Sequence, residues 1–275
     1  MDEWIRAALL GAVQAATEFL PVSSSGHLVI GHRLLGEPPN PLAFDVGLHV
    51  GTLAAVLMEF RRDWLRMGRG ALALLVGERS GARAMRGESH LIGLIAVATL
   101  PAVVAGLLLA DLIERELRSP VVVALMLILG GVLLWLVDSR ATRTRTEADL
   151  SVRGALAVGG WQMFALIPGF SRSGSTLIGG RSLGLERPAA TRFSFLLSVP
   201  VIAGAAVLEI PSALADEAGL PIGPLLVGML VAFAVGLVVI RFLLRYVASH
   251  GFGIFALYRV VLGVLLLGAI RADWL

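Results

Sequence analysis

The sequence contains no cysteine and no lysine, and only 16% of its 275 residues are charged. The absence of cysteine excludes disulfide bonds and metal sites that are built from thiolates. Because lysine is absent, all 23 basic residues are arginine, and they leave a net charge of only +3. They collect mainly in two stretches and do not form a basic stripe along the chain, so we expect no nucleic-acid partner.

Apolar residues make up 57% of the sequence, and the mean hydropathy is +0.84. A soluble domain of this length could not bury so much apolar surface, so the composition indicates an integral membrane protein. The ten-residue alternation that is typical of an outer-membrane barrel is not found. We therefore predict an all-α integral membrane fold.

The sequence contains ten apolar segments. Six reach the roughly 20 residues that a membrane-spanning helix needs, and these six lie at 42–60, 90–112, 119–138, 190–209, 222–245 and 252–271. Four are short or broken by proline, glycine and serine, and these lie at 5–20, 24–36, 153–167 and 174–185. Such broken pairs are typical of re-entrant helical hairpins, which are tolerated only inside protein or around a wet cavity.

The order of one hairpin and three spans occurs twice, which indicates an internal duplication. Residues 11–36 align without gaps with residues 159–184, and both stretches contain Ser-x-Ser-Gly and an upstream glutamine. Three spans are an odd number, so the second half must be inserted upside down relative to the first. We predict an inverted-topology repeat within one polytopic domain over 1–275, with repeat 1 at about 1–140 and repeat 2 at about 151–275.

Two arginine-rich stretches, 61–89 and 139–153, are expected to be cytoplasmic loops. Their basic residues are Arg61, Arg62, Arg66, Arg69, Arg79, Arg83, Arg86, Arg140, Arg143, Arg145 and Arg153. The loop 210–221 carries Asp216 and Glu217 instead and suits the external side. The first hairpin and both chain ends are then external, and the second hairpin enters from the cytoplasm.

The first hairpin contains a polar cluster that runs from Glu18 to His27 between apolar flanks. Ionisable residues at membrane depth are costly and usually functional. Ser24 and His27 would share one face of a helix, where the imidazole could activate the serine or protonate a leaving oxygen. Glu18, with the Gln14 amide one turn earlier, could bind a divalent cation or act in proton transfer.

Further residues are expected to line the same cavity, namely Gln14, Ser23, Ser25 and His49. Each has a structural alternative. The serines could cap a helix, His27 could be a satisfied buried histidine, and His49 could simply be solvated at a helix end.

The second hairpin contains the cluster from Pro168 to Thr176. We expect a short helix to begin at Gly174 and Ser175, where free N–H groups suit phosphate. The guanidinium of Arg172 offers a planar fork to phosphate oxygens. The candidate phosphate ligands are Gly169, Ser171, Arg172, Ser173, Gly174 and Thr176. The alternative is an arginine bonded to carbonyls between helices. Arg259, in the last span, has no partner that the sequence identifies.

At these two clusters the chain resembles the undecaprenyl-diphosphate phosphatases, bacterial membrane enzymes linked to bacitracin resistance. The family's (Glu/Gln)-x-x-x-Glu motif, followed by Phe-Leu-Pro-(Ile/Val)-Ser-Ser-(Thr/Ser)-Gly-His, reads Gln14 to His27 here. Its second motif, Pro-Gly-x-Ser-Arg-Ser-x-x-Thr, reads Pro168 to Thr176, and the run Phe193 to Pro200 is similar as well. The likeness extends from end to end.

The resemblance implies hydrolysis of undecaprenyl (polyprenyl) diphosphate, a phosphoric anhydride, to the monophosphate and inorganic phosphate. This reaction recycles the lipid carrier of peptidoglycan and cell-wall synthesis, and bacitracin competes for the same lipid substrate. The resemblance also implies a multi-pass protein of the bacterial cytoplasmic (inner) membrane whose active site opens to the external, periplasmic side. It further implies dependence on a divalent cation, Mg²⁺ or Ca²⁺. Assembly into a homo-oligomer is left open by the sequence.

By position, the family's active-site places fall on Glu18, Ser24, His27, Arg172, Ser173 and Thr176. Gln14 stands where many members have glutamate, which removes one carboxylate from the metal site, and His49 stands where a glutamine is expected. We expect Ser24, in preference to His27, to be the nucleophile, or a water held there. His27 would shuttle the proton, and Glu18 would hold the metal ion or assist.

Two other functions fit parts of the sequence. Inverted repeats with broken helices are typical of transporters, so a polyprenyl-phosphate flippase, alone or as a second activity, stays open. Another class of membrane lipid phosphatase combines Ser-Gly-His with Ser-Arg, and both fragments occur here. That class needs a downstream His and Asp in an arrangement that nothing after Arg172 supplies.

Overall fold

The computed structural model describes residues 1–36, 38, 41–76, 82–117, 119–141, 144–215 and 220–272. Within these ranges the chain forms eleven α-helices and two 3-10 helices, Glu147–Asp149 and Phe164–Leu166. The α-helices are α1 Glu3–Phe19, α2 Ser24–Leu35, α3 Pro41–Glu59, α4 Arg61–Val76, α5 Ala82–Glu116, α6 Pro120–Arg140, α7 Val152–Met163, α8 Arg172–Ser182, α9 Arg187–Ala215, α10 Ile222–Tyr246 and α11 Gly253–Arg271.

Six helices are long and apolar enough to cross a membrane, which confirms the prediction of an all-α protein with six spans. They are Pro41–Glu59, His90–Leu109, Pro120–Arg140, Arg187–Pro211, Ile222–Tyr246 and Gly253–Arg271. Pro101 and Pro200 lie inside two of them, as is tolerated in membrane helices where neighbouring helices and side chains satisfy the freed backbone groups.

The four shorter apolar segments form two pairs of helices, which we call the first helix pair (α1 and α2) and the second helix pair (α7 and α8). Each pair packs against spans of the other half of the chain: α1 lies along α10, and α7 lies along α5. Every residue of α8 from Ser173 to Arg181 is buried. A helix that is buried on all sides is a core element, so α8 lies within the protein.

The stretch 61–89 connects the first two spans, as predicted, but it is helical, since it contains α4 and the beginning of α5. On α4, Met67 is buried while Leu65, Leu72 and Arg69 are exposed. The arginine content hid this helix from the sequence reading.

Several predicted topology residues cannot be compared with the structure. Arg79, Arg143, Asp216 and Glu217 lie outside the described residues, and so do the side chains of Arg83 and Arg86.

Gly11→Ala is expected to lower the thermal unfolding temperature of the purified protein. A Cβ at Gly11 would collide with the carbonyl group of Gly228 on α10, and overpacking of this kind costs roughly 1–3 kcal/mol. Gly160→Ala is the matched control, since nothing lies within 4 Å of its added Cβ. Equal unfolding temperatures for the two variants would contradict the close α1–α10 contact.

Candidate active site

The two polar clusters lie where the helix pairs are interrupted. We call residues 20–23, between α1 and α2, the first break, and residues 164–171, between α7 and α8, the second break. Each break ends in a serine with a left-handed backbone, Ser23 with φ of 76° and Ser171 with φ of 77°. Within the described part of the chain these are the only non-glycine residues with positive φ. Such strain costs of order 1–3 kcal/mol and clusters at functional sites.

The second short helix begins earlier than the sequence predicted. Helix α8 starts at Arg172 and not at Gly174, because the Ser171 side chain caps it by accepting the Gly174 N–H at 3.1 Å. The predicted N-terminal N–H of Gly174 is therefore already bonded to a protein group.

An ion pair joins the two clusters. Arg172 donates from Nη2 to Glu18 Oε1 at 2.7 Å, and the two side chains are 11% and 5% exposed. A second guanidinium nitrogen of Arg172, Nη1, donates to the carbonyl oxygen of Ser194 on α9 at 3.0 Å. Residues 154 positions apart in the chain thus meet in a buried contact.

The other carboxylate oxygen of Glu18 receives three further donors. Ser24 Oγ donates to Oε2 at 2.6 Å, Gln14 Nε2 donates at 3.3 Å, and His49 Nε2 lies 3.4 Å away. Burial favours a raised pKa, but the charge of Arg172 and the contacts with His49 and Ser24 outweigh it and hold the pKa of the Glu18 carboxyl below its usual range. Glu18, which lies outside the six spans, is therefore ionised at neutral pH.

A cavity of about 210 Å³ opens at this ion pair. Its polar lining residues are Glu18, Ser24, Ser25, His49, Gln162, Ser171 and Arg172. Its apolar lining residues are Val46, Ala102, Ala165, Leu166, Val201, Ile202 and Ala205. The cavity therefore combines a fixed positive group with an apolar wall that is made by α3, α5 and α9.

The remaining predicted phosphate ligands do not line the cavity and bond to other protein groups. Ser173 Oγ donates to the Leu20 carbonyl at 3.2 Å, and the Gly169 N–H donates to Ser25 Oγ at 3.4 Å. Thr176 Oγ1 lies 2.6 Å from Ser194 Oγ. These groups hold the cavity wall together.

Both ring nitrogens of His27 bond to groups other than Ser24. Its Nδ1 lies 2.8 Å from the Ser23 carbonyl oxygen, and its Nε2 lies 2.7 Å from the Tyr258 hydroxyl, with the two rings stacked. Burial lowers the pKa of His27. The imidazole beside Glu18 is that of His49, which the sequence placed only among the residues lining the cavity.

Two residues at the site were not found by the sequence reading. Ser194 bonds both Arg172 and Thr176, and Tyr258 bonds His27. Ser194 lies in the run Phe193 to Pro200 that resembles the family, so a signal was present there. Tyr258 sits among the apolar residues of α11 and gave none.

The predicted divalent cation would find only part of its ligands in this chain. No group of three His, Cys, Asp or Glu residues suited to a metal occurs among the residues that the structure describes. Glu18 is one oxygen donor, and Gln14 Oε1, one turn earlier, is a buried oxygen with no hydrogen-bond partner. Two such donors fit a cation that takes its other ligands from phosphate and water, as Mg²⁺ commonly does.

Comparison with known proteins gives a match to the family described as "Bacitracin resistance protein BacA" over residues 7–265. An undecaprenyl-diphosphatase of Gemmatimonas aurantiaca is 46% identical, with 99% of both chains covered. Undecaprenyl-diphosphatases of Alcanivorax borkumensis and Desulforudis audaxviator are 43% and 42% identical, covering 96% and 93% of this chain and 98% and 94% of the relatives. Both polar clusters lie inside the matched range.

Ser23→Gly is expected to raise the stability of the protein by about 1 kcal/mol, because glycine adopts positive φ without strain and the Ser23 side chain makes no cap bond. Ser23→Ala is the control, since it removes the same hydroxyl but keeps the strain. Thermal unfolding in detergent measures both. A glycine variant no more stable than the alanine variant would show that the first break is not strained.

Proposed function

Because the chain belongs to the BacA family, we propose that it is an undecaprenyl-diphosphatase, which hydrolyses undecaprenyl diphosphate to undecaprenyl phosphate and inorganic phosphate. The observation that carries this proposal is the contact between Glu18 and Arg172 in a cavity that is lined by both polar and apolar side chains. A diphosphate head group and an isoprenoid tail need those two surroundings side by side. The lipid carrier of cell-wall synthesis is recycled by this reaction, and bacitracin competes for the same lipid.

In the proposed reaction the terminal phosphate binds at Arg172, which offers a planar fork to its oxygens. The Ser24 hydroxyl, which Glu18 Oε2 orients through a hydrogen bond of 2.6 Å, attacks phosphorus while its proton passes to the neutral imidazole of His27. The bond between phosphorus and the bridging oxygen breaks, and the lipid monophosphate leaves. Water then hydrolyses the phosphoserine to inorganic phosphate and restores Ser24.

His27 would then donate this proton to the oxygen of the leaving lipid monophosphate. That role requires its ring to turn away from Tyr258, to which Nε2 is now bonded. Catalytic hydrogen bonds often form only when substrate is bound. A divalent cation, Mg²⁺ or Ca²⁺, would be held by Glu18 and Gln14 Oε1 together with the diphosphate and would neutralise charge on its oxygens.

We further propose that the two halves are inverted repeats and that the helix pairs are re-entrant hairpins. Two observations support this. Ser23 and Ser171 have the same unusual φ at aligned positions, and the packing of α1 on α10 mirrors that of α7 on α5. In this arrangement each hairpin packs on the second span of the other repeat.

The cavity is proposed to open to the external, periplasmic side of the bacterial cytoplasmic membrane. Arg192, near the start of α9, pairs with Asp63 at 2.8 Å and with Glu147 at 3.1 Å, so both arginine-rich stretches lie at one end of the bundle. Arginine-rich ends are cytoplasmic. The cavity residue Ala205 lies on the part of α9 that is remote from Arg192, towards the opposite side.

Lipid transport is a second candidate function, favoured by the mirrored packing of the two halves, which is typical of transporters. Protein in vesicles distinguishes the two. If a labelled polyprenyl phosphate moves between leaflets and no phosphate is released from the diphosphate, the protein is a lipid transporter and not a phosphatase.

Arg172→Ala and His27→Ala are each expected to reduce phosphate release from polyprenyl diphosphate by about 100-fold or more, since each removes a charge-stabilising or proton-transferring group. Release is measured on purified protein in detergent. Arg153→Ala, at an exposed arginine of α7, is the control and is expected to keep full activity. Near-normal turnover in folded Arg172→Ala would refute the assignment of the site.

Mg²⁺ or Ca²⁺ is expected to bind saturably only when a non-hydrolysable diphosphate analogue is present, because the chain supplies two oxygen donors on α1. Calorimetric titration of the purified protein measures this. Gln14→Glu adds a second carboxylate and is expected to bind the cation without the analogue. Saturable binding by the unchanged protein alone would contradict a cation site that is shared with the substrate.

A further inference from the structure

Arg259 on α11 is a fully buried arginine that the proposed reaction does not use. Among the residues that the structure describes, its guanidinium forms no ion pair, and its Nε has no hydrogen-bond partner. A buried cation without a counter-charge is costly. A buried arginine at this position therefore needs a reason beyond packing.

The partners of Arg259 are backbone carbonyl groups of both breaks. Nη1 reaches the carbonyl oxygen of Pro21 in the first break at 3.5 Å. Nη2 donates to the carbonyl oxygens of Gly169 at 3.2 Å and Phe170 at 2.6 Å in the second break, and it lies 3.3 Å from the carbonyl oxygen of Met126 on α6. One side chain thus satisfies acceptors of both interrupted helices.

Two glycines lie so close to the Arg259 guanidinium that a side chain on either would contact it. A Cβ on Gly130 of α6 would collide with the Arg259 guanidinium, and a Cβ on Gly174 of α8 would lie 2.6 Å from Nη1. Two glycines, one on a span and one on the second helix pair, therefore create the site that this arginine fills.

We propose that Arg259 is a positioning residue that holds the first and second breaks in register, so that Ser24 and Arg172 face the same phosphate. Ser24 follows the first break, and Arg172 follows the second. Neither break has a regular helix to fix it, and the arginine supplies the missing donors at the point where they meet. The kinetic part of this inference rests on the proposed phosphatase function, whereas the structural part does not.

Because the chain contains no cysteine, two introduced cysteines would be its only thiols, so their cross-linking can be followed directly. Cysteines placed at Leu20 and Ser173, whose carbonyl oxygen and hydroxyl are 3.2 Å apart across the breaks, report whether the breaks stay together. We expect rapid cross-linking, through a disulfide bond that forms directly between the two cysteines under a mild oxidant in membranes, when Arg259 is present. In the Arg259→Met background the rate is expected to fall about tenfold, because a carbonyl-lined gap replaces the hydrogen bonds.

Arg181→Met is the matched control. Arg181 is also fully buried, but it pairs with Asp138 at 2.9 Å at the other end of α8. It is expected to lower thermal stability while leaving the cross-linking rate unchanged. Equal cross-linking in the Arg259→Met and unchanged backgrounds would overturn the proposal, and so would an equal loss in both methionine variants.

The kcat and KM of an Arg259→Lys variant distinguish a positioning role of Arg259 from a purely electrostatic one. Arg259→Lys keeps the positive charge, but one ammonium group cannot reach both breaks, so kcat is expected to fall about 100-fold with little change in KM, as misplacement of reacting groups predicts. Full activity of Arg259→Lys would show that charge alone matters and would overturn the proposal.

Gly130→Ala is the second variant, and it displaces the guanidinium without removing it. It is expected to slow cross-linking and reduce kcat in the same way as Arg259→Met. If Arg259→Met does not fold, Gly130→Ala still tests the proposal. Unchanged cross-linking in Gly130→Ala would count against it. If the unchanged protein releases no phosphate at all, the proposed function fails, and the cross-linking result still decides the role of Arg259.

Discussion

The ion pair between Glu18 and Arg172 is the contact on which the rest of the site depends. A buried ion pair repays its desolvation only when its remaining donors and acceptors are bonded, and loss of one partner costs roughly 3–5 kcal/mol. Here Ser24 and Gln14 donate to the carboxylate, and the Ser194 carbonyl accepts from the guanidinium. The pair forms where two helices are interrupted, since Glu18 lies in the last turn of α1 and Arg172 is the first residue of α8.

The broken helices are in turn a consequence of local sequence. Pro21 and Pro168 interrupt the hydrogen-bond ladder of their segments, and each break ends in a serine whose positive φ turns the chain into the next helix. Two serines that are 148 positions apart (171 minus 23) adopt this uncommon conformation at aligned places, which is the observation that supports the proposed repeat.

Much of this architecture could be predicted from the sequence, and the parts that could not share a physical cause. The six spans are long apolar runs, so they were evident, and the clusters around Glu18 and Arg172 stood out because charge is rare in such surroundings. The partners of Arg259 and His27 were hidden, because they are backbone carbonyls and a tyrosine brought close only by folding. Helix α4 was not predicted, because an arginine-rich stretch between two spans is typical of a loop.

The apolar lining of the cavity, formed by residues of α3, α5 and α9, has a consequence for how a lipid substrate is encountered. A chain that remains dissolved in the bilayer while its head group is held arrives by lateral diffusion in two dimensions. The protein then responds to the mole fraction of diphosphate in one leaflet and not to its concentration per volume. Diluting the substrate with inert lipid or detergent would slow such an encounter even when the total amount of substrate is held constant.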